Sequence, residues 1–202
     1  MSAAPVLVLA SQSAGRKAML EAAGVPFEAF PAAVDEAALK AALGAEGQPP
    51  RNIADALAEA KALKVSARIP GALVLGSDQL LALEDGTLFD KPESPTDAKA
   101  HLRAFSGKLH RLFCAAVIVE NGQPVWRHIS VATMRVRPLS EKFIDAYVAT
   151  HWERIRWTVG CYEVEGAGVQ LFDRIEGDPF TIIGLPLVPL LGYLRTRGIM
   201  TS

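Results

Sequence analysis

The apolar positions gather into short dense runs separated by polar turns. Pro5 to Ala10 is an unbroken apolar run, the pattern of a strand buried on both faces. Ser11-Gln12-Ser13 makes a polar turn. Arg16 to Ala23 then reads as a helix with Ser13 as its N-cap. Val25 to Phe30 reads as a second strand. Arg51 to Arg68 is helical in composition, with Ile53, Leu57 and Ala60 marking its apolar side. Ala72 to Leu83 is another buried run, interrupted by Ser77, Asp78 and Gln79, and Glu84 to Thr87 is a turn. Ser94-Pro95 opens a helix that runs through Phe105, with Ser94 as cap, Pro95 at the first position and Gly107 past its end.

Leu109 to Val119 and Val125 to Arg137 are strand-like around Asn121-Gly122, a strong hairpin signal. Ser140 to Thr150 reads as a helix and Gly168 to Ile175 as a strand. Thr181 to Leu185 is short and apolar. Pro186 opens a last helix, with Leu187, Leu190, Leu191 and Leu194 on one side and Gly198 beyond. Strands and helices intermix and a hairpin is present, which predicts an α/β fold with a mixed sheet. The alternative is two lobes that share one long sheet, with a cleft between them.

Composition narrows the function classes. The 202 residues are 50% hydrophobic and 21% charged, enough for a core without staples. Lys plus Arg number 21 against 22 Asp plus Glu, a net charge of −1. That balance argues against grip on a nucleic acid polymer through bulk charge, while leaving room for one nucleotide in a locally basic pocket. The two cysteines, Cys114 and Cys161, have no CxxC spacing and suggest neither a Cys-rich zinc site nor a disulfide scaffold. No run approaches the ~20 apolar residues of a membrane helix, and the N-terminus lacks the basic lead of a signal peptide. The expected location is the cytoplasm.

Several positions carry candidate chemistry. Ser11, Ser13, Arg16 and Lys17 cluster at a helix start, where hydroxyls, cations and backbone N–H groups suit an oxyanion. The plainer alternative is a capped helix with solvated basic residues. Asp78 is a carboxylate inside an apolar run, costly unless paired or bound to metal; the alternative is a strand end whose Asp caps a turn. Gln79 would point to the opposite face of that strand. Asp35 and Glu36 could give an oxygen ligand to Mg²⁺ or simply form an acidic helix start. Lys61 falls about 40° from Leu57 on a helical wheel. It therefore borders the apolar side, to snorkel or to reach a buried anion. Lys91 sits in a loop, where a lone lysine is usually surface. Glu165 lies in a Gly-rich bend, able to accept from a donor-rich base edge or to belong to an ordinary bulge.

Together these segments resemble the Maf family of nucleoside triphosphate pyrophosphatases, closest to its YceF-type, 7-methyl-GTP branch. Leu9 to Arg16 resembles the family's LASxSPRR opening and Val34-Asp35-Glu36 its VDE. Gly76-Ser77-Asp78, then Lys91-Pro92, then Ser106 to His110, resemble GxD, KP and SGxxH. Gly184 to Leu187 resembles the closing GLPL. The resemblance implies a mixed twisted sheet with helices on both sides, two lobes flanking a central cleft, and one domain over residues 1–202. It implies conversion of a nucleoside triphosphate and water to the monophosphate and pyrophosphate with Mg²⁺ or Mn²⁺, in a cytoplasmic enzyme that is often a homodimer. Asp78 would be the catalytic carboxylate, activating water or holding metal, and Glu36 a metal or water ligand. Ser11, Arg16, Lys61 and Lys91 would hold phosphates.

The departures matter. Ala14 and Gly15 stand where the opening motif has Pro and the first Arg. Gln79 follows the catalytic Asp where the dTTP/UTP branch has Thr, and Glu165 replaces that branch's Gln. Guanine offers N1–H and N2–H donors on one edge, and 7-methylguanine adds positive ring charge, both suited to a carboxylate. Uracil and thymine present carbonyls, which a carboxylate repels and a glutamine amide can meet. Glu165 and Gln79 are therefore expected to select a methylated guanine nucleotide. A dTTP/UTP pyrophosphatase of the same family is the alternative, as is a non-catalytic nucleotide-binding regulator of cell division. A binder needs the cations but not Asp78 and Glu36 together. A P-loop or kinase signature is missing.

Overall fold

The computed structural model describes residues 6–201. In chain order the elements are β1 (Leu7–Leu9), α1 (Ala14–Ala22), β2 (Glu28–Ala29), α2 (Glu36–Ala45), α3 (Pro50–Ser66), β3 (Leu73–Leu83) and β4 (Leu88–Phe89). Then follow α4 (Pro95–Phe105), β5 (Leu109–Glu120), β6 (Gln123–Val136), α5 (Glu141–Ile155), a 3₁₀ turn (Ala167–Leu171), β7 (Phe172–Glu176), α6 (Pro179–Ile183) and α7 (Leu187–Thr196). The strands form one mixed sheet in the order β2-β1-β3-β5-β6-β7, with β4 on β3. β1 is parallel to β2 and β3, while β4 and β7 are antiparallel to their partners. The expected α/β fold with a mixed sheet is present.

The chain divides into two compact units. The first holds the described chain up to Asp78, with Cys114–Ser130 and the segment from Pro179 onward. Alternation along its strands explains its layering. Leu7, Leu9, Leu73 and Leu75 share one core cluster with Met19 and Leu20 of α1 and Leu187, Leu190 and Leu194 of α7. The intervening positions face α3, where Gly76 meets Ala58 and Ala62. Helices therefore cover both sides of the sheet in this unit. The hairpin tip is tied to the end of α3: Gly122 N–H donates to Ser66 Oγ at 3.1 Å. Asn121 and Gly122 both have positive φ, 49° and 76°, which explains the Asn-Gly choice.

The second unit is Gln79–Phe113 with Val131–Asp178. Helices α4 and α5 pack together and carry Arg103–Glu141 and Lys99–Asp145 ion pairs at 2.8 and 2.7 Å. Its interior is aromatic. His110 is fully buried, its ring 5.3 Å from Phe105 and 6.1 Å from Phe172, and its Nε2 lies 2.8 Å from Tyr162 Oη.

Two expectations need revision. The strand read over Val25 to Phe30 is reduced to Glu28–Ala29. The predicted strand over 168–175 is a 3₁₀ turn to Leu171 and a strand only from Phe172. Gly168 presses onto the Glu163 backbone, with room for no Cβ, so the chain coils there before it can extend. Helix α2 carries no buried residue, which is why no apolar stripe announced it. The first predicted strand begins at Leu7; Pro5 lies outside the described residues. Ser13, Ser94 and Ser140 all cap the helices that follow them.

Burial lowers the His110 pKa from 6.5 to about 4. At pH 5 the unfolded chain binds a proton here and the folded chain does not, so acid favours unfolding. Stability is lost as pH falls from 6.5 toward 4, by about 3 kcal/mol at about 1.4 kcal/mol per pKa unit. A His110→Phe variant should lose correspondingly less stability across that window in urea titrations; a parallel decline with wild type would contradict this origin.

Candidate active site

The first unit assembles its charged groups around β3. Gly76, Ser77 and Asp78 alternate across the sheet. A Cβ at Gly76 would lie 2.0 Å from the Ala58 carbonyl oxygen and 2.8 Å from the Ala62 nitrogen, so only glycine admits α3 this close. Asp78 points the same way as Gly76 and meets Lys61, which lies in the buried stripe of α3. Lys61 Nζ sits 2.5 Å from Asp78 Oδ1 and 2.9 Å from Glu36 Oε2. Lys61 and Asp78 are 7% and 6% exposed, whereas the Glu36 side chain is 51% exposed.

The helix-start reading of the acidic pair at 35–36 holds. Asp35 caps α2 by accepting from Ala38 N–H at 3.0 Å, and Glu36 in the first turn reaches Lys61. For Asp78 the turn-capping alternative fails, because β3 continues to Leu83 and the carboxylate pairs with Lys61.

Ser77 faces the other side. Its hydroxyl donates to the Gly184 carbonyl at 3.3 Å. Arg16 enters the same network from α1. Its Nε donates to Gly184 O at 2.7 Å, and its Nη1 donates to Ser77 O at 2.8 Å and Ser11 Oγ at 3.3 Å. Ser11 Oγ also accepts from Ser13 N–H at 3.2 Å. Arg16 is 8% exposed, not a solvated base. Among the described residues it pairs with no carboxylate, and these bonds leave Nη2 unused. A buried guanidinium without a counter-ion is costly, and an anion is what would relieve it.

Five of the eight predicted residues thus fall in one unit: Ser11 with Arg16, and Glu36 with Lys61 and Asp78. Gln79, Lys91 and Glu165 belong to the other unit. Gln79 is half-buried on the opposite face of β3 from Asp78, while Lys91 and Glu165 are exposed. Glu165 sits in the turn that Gly166 N–H closes on Glu163 O at 3.1 Å. Sequence reasoning gave no role to Ser77, Gly184 or His110, although all lie in the motifs quoted above. A glycine carbonyl that serves as acceptor leaves no mark in residue type.

A divalent metal can be tested against this donor set. Among the described residues no group of three or more His, Cys, Asp and Glu side chains could hold a metal ion. An all-protein cage is therefore missing there. Two carboxylates, Glu36 and Asp78, converge on one cation, and that suits Mg²⁺, which binds through one or two carboxylates plus phosphate and water. Both cysteines are buried and neither is in a disulfide, and burial pushes the Cys161 thiol up to about 12, so it is no nucleophile. No helix among the described residues is long and apolar enough to cross a membrane.

Comparison with known proteins places the chain in a family. A family profile described as Maf-like protein matches residues 6–197. A nucleoside triphosphate pyrophosphatase of Sphingopyxis alaskensis is 61% identical over 193 residues, 96% of this chain and 98% of that protein. A nucleoside triphosphate pyrophosphatase of Caulobacter vibrioides is 52% identical over 201 residues, 100% of each. A 7-methyl-GTP pyrophosphatase of Rhizobium meliloti is 52% identical over 195 residues, 96% of this chain and 97% of that one.

Removing one member of a buried ion pair costs about 3–5 kcal/mol, because the survivor stays buried and uncompensated. Lys61→Met leaves two carboxylates facing each other and should cost about 3 kcal/mol in chemical denaturation. Asp78→Asn should cost clearly less, since Lys61 keeps Glu36. Equal losses would mean that Glu36 contributes nothing to the pairing. Gly76→Ala should cost at least as much as other overpacking changes, about 1–3 kcal/mol, with a wild-type midpoint counting against the close approach of α3.

Proposed function

The chain belongs to the Maf-like family and is a nucleoside triphosphate pyrophosphatase, a hydrolase; we propose that its preferred substrate is 7-methyl-GTP and that Asp78 is its catalytic carboxylate. The observation that carries the assignment of Asp78 is Lys61 held between two carboxylates, Asp78 and Glu36. A protein that only binds nucleotide has no need of that acid pair.

Hydrolysis requires water to attack the α-phosphorus in line with the departing pyrophosphate. The new bond joins the water oxygen to phosphorus, and the bond from phosphorus to the bridging oxygen breaks. Asp78 takes the proton of the attacking water. Lys61 engages Oδ1, so Oδ2 is the oxygen assigned to that proton. Glu36 and Asp78 are the residues that would hold Mg²⁺ or Mn²⁺. When bound, the metal polarises phosphoryl oxygens as a Lewis acid. Arg16 offers Nη2 to the phosphates from a guanidinium already fixed by three other bonds, so little reorganises as charge builds. Ser11, Lys61 and Lys91 complete the assigned phosphate contacts.

The base preference is assigned to Glu165 and Gln79. A carboxylate accepts the N1–H and N2–H donors of guanine and favours the cationic 7-methylated ring. The relative of Rhizobium meliloti with the matching name supports that choice.

Pyrophosphate release should be measured on 7-methyl-GTP, UTP, dTTP and the standard nucleotides with Mg²⁺ and Mn²⁺. Wild type should prefer 7-methyl-GTP, Asp78→Asn should lose about 10²–10⁴-fold in kcat, and Glu165→Gln should shift preference toward UTP. A UTP or dTTP preference in wild type would discard the role of Glu165 and keep the enzyme. Binding without turnover of any nucleotide would favour a regulator.

A further inference from the structure

The aromatic core of the second unit holds an unsatisfied polar atom. His110 is fully buried and its Nδ1 has no hydrogen-bond partner. Its Nε2 meets Tyr162 Oη at 2.8 Å. A neutral imidazole has one donor and one acceptor nitrogen, so neither tautomer completes this network. If Tyr162 donates to Nε2, the Nδ1–H is orphaned. If Nε2–H donates, Nδ1 and the tyrosine proton both lack partners. An apolar side chain of similar shape would avoid that desolvation cost. A histidine kept here calls for a use of its one bond.

That bond ends on a residue clamped from several sides. Tyr162 N–H donates to Thr158 Oγ1 at 3.1 Å. A Cβ at Gly160 would lie 2.2 Å from the Tyr162 ring, and one at Gly168 would lie 2.8 Å from Tyr162 Cβ. Cys161 takes a positive φ of 57°, and its carbonyl accepts from Tyr147 Oη at 3.2 Å. Glu163 pairs with Arg154 at 2.5 Å. The turn bearing Glu165 follows at once, closed by the Gly166–Glu163 hydrogen bond. The Tyr162 ring packs edge-on against Phe172, centroids 4.8 Å apart, and the hydroxyl at its far end is held by His110.

We propose that His110 and Tyr162 are positioning residues for nucleotide selectivity, fixing the turn so that Glu165 presents its carboxylate in one orientation to the base. The inference rests on the base-reading role of Glu165. A side chain on a loop discriminates only as sharply as the loop is fixed, and His110 gives the loop a partner in the rigid core. Phe at position 110 would fill the same space without the bond, and without the orphaned nitrogen.

The test is kcat/KM for 7-methyl-GTP and UTP in wild type, Glu165→Gln, Tyr162→Phe, His110→Phe and the double variant Glu165→Gln with Tyr162→Phe, with melting temperatures alongside. Tyr162→Phe and His110→Phe should each lower the 7-methyl-GTP to UTP ratio about tenfold, the worth of one hydrogen bond, mainly through KM for 7-methyl-GTP. His110→Phe should melt no lower than wild type near neutral pH, so selectivity and stability part company. The double variant should have the ratio of Glu165→Gln alone, since both changes act through one carboxylate. Equal losses on both substrates, an unchanged ratio, or additive effects in the double variant would overturn the inference. A wild-type ratio in Glu165→Gln would instead overturn the base-reading role itself, and this inference with it.

Discussion

An ammonium group between two carboxylates is the constraint from which the first unit is built. Lys61 and Asp78 are almost out of water, and each would be prohibitively placed without the other. The pair dictates which turn of α3 lies over β3 and therefore why Gly76 carries no side chain. It also anchors the start of α2, which has no fully buried residue of its own, because Glu36 reaches the same ammonium. Burial of charge here does little for net stability compared with an apolar core of equal volume. Its retention fits the phosphate and water chemistry proposed for this site.

Ser77 turns that constraint into a two-sided device. Strand alternation sends Asp78 toward α3 and the Ser77 hydroxyl toward Gly184, while Arg16 binds the Ser77 carbonyl. Two consecutive residues therefore fix a carboxylate on one face and a guanidinium on the other. The Arg16 bonds to Gly184 and Ser77 also join α1, β3 and the start of the last helical segment through backbone carbonyls. A side chain that holds the frame together cannot swing to meet a ligand. Whatever Nη2 binds must come to it, which is the meaning of a preorganised site.

Much of this was legible in the residue pattern. Ser13, Ser94 and Ser140 announce their helices, Asn121-Gly122 its turn, and Asp78 its anomaly inside an apolar strand. What was hidden falls into two kinds. Helix α2 has no fully buried residue, only half-buried Leu39, Lys40 and Leu43, so its periodicity carries little signal. The joints at Gly184 and Ser77 use backbone carbonyls, which every residue possesses, so composition is silent about them. Arg16 was misjudged in the plainer reading for a related reason: a basic residue after a serine cap looks solvated until the carbonyls that bury it are known. Nothing in the local sequence marks His110, because its bond runs to Tyr162, 52 positions away.

The division of residues between the two units bears on how such an enzyme changes substrate. The acid pair, Lys61, Arg16 and Ser11 all lie in the first unit, and the residues assigned to the base lie in the second. Phosphate chemistry is common to every nucleoside triphosphate, and of the groups assigned to it Ser11, Arg16, Lys61 and Asp78 sit in a buried network where single changes are expensive, while Lys91 and Glu36 are more exposed. Base recognition is not common to them. It is assigned to Glu165 in an exposed turn, where exchange of a carboxylate for an amide disturbs no buried pair. A core of charged groups that cannot vary, combined with a supported loop that can, lets one fold serve different bases without rebuilding its reaction centre. The requirement on the variable loop is rigidity rather than burial, and that is what glycines 160 and 168 and the Tyr162 ring supply.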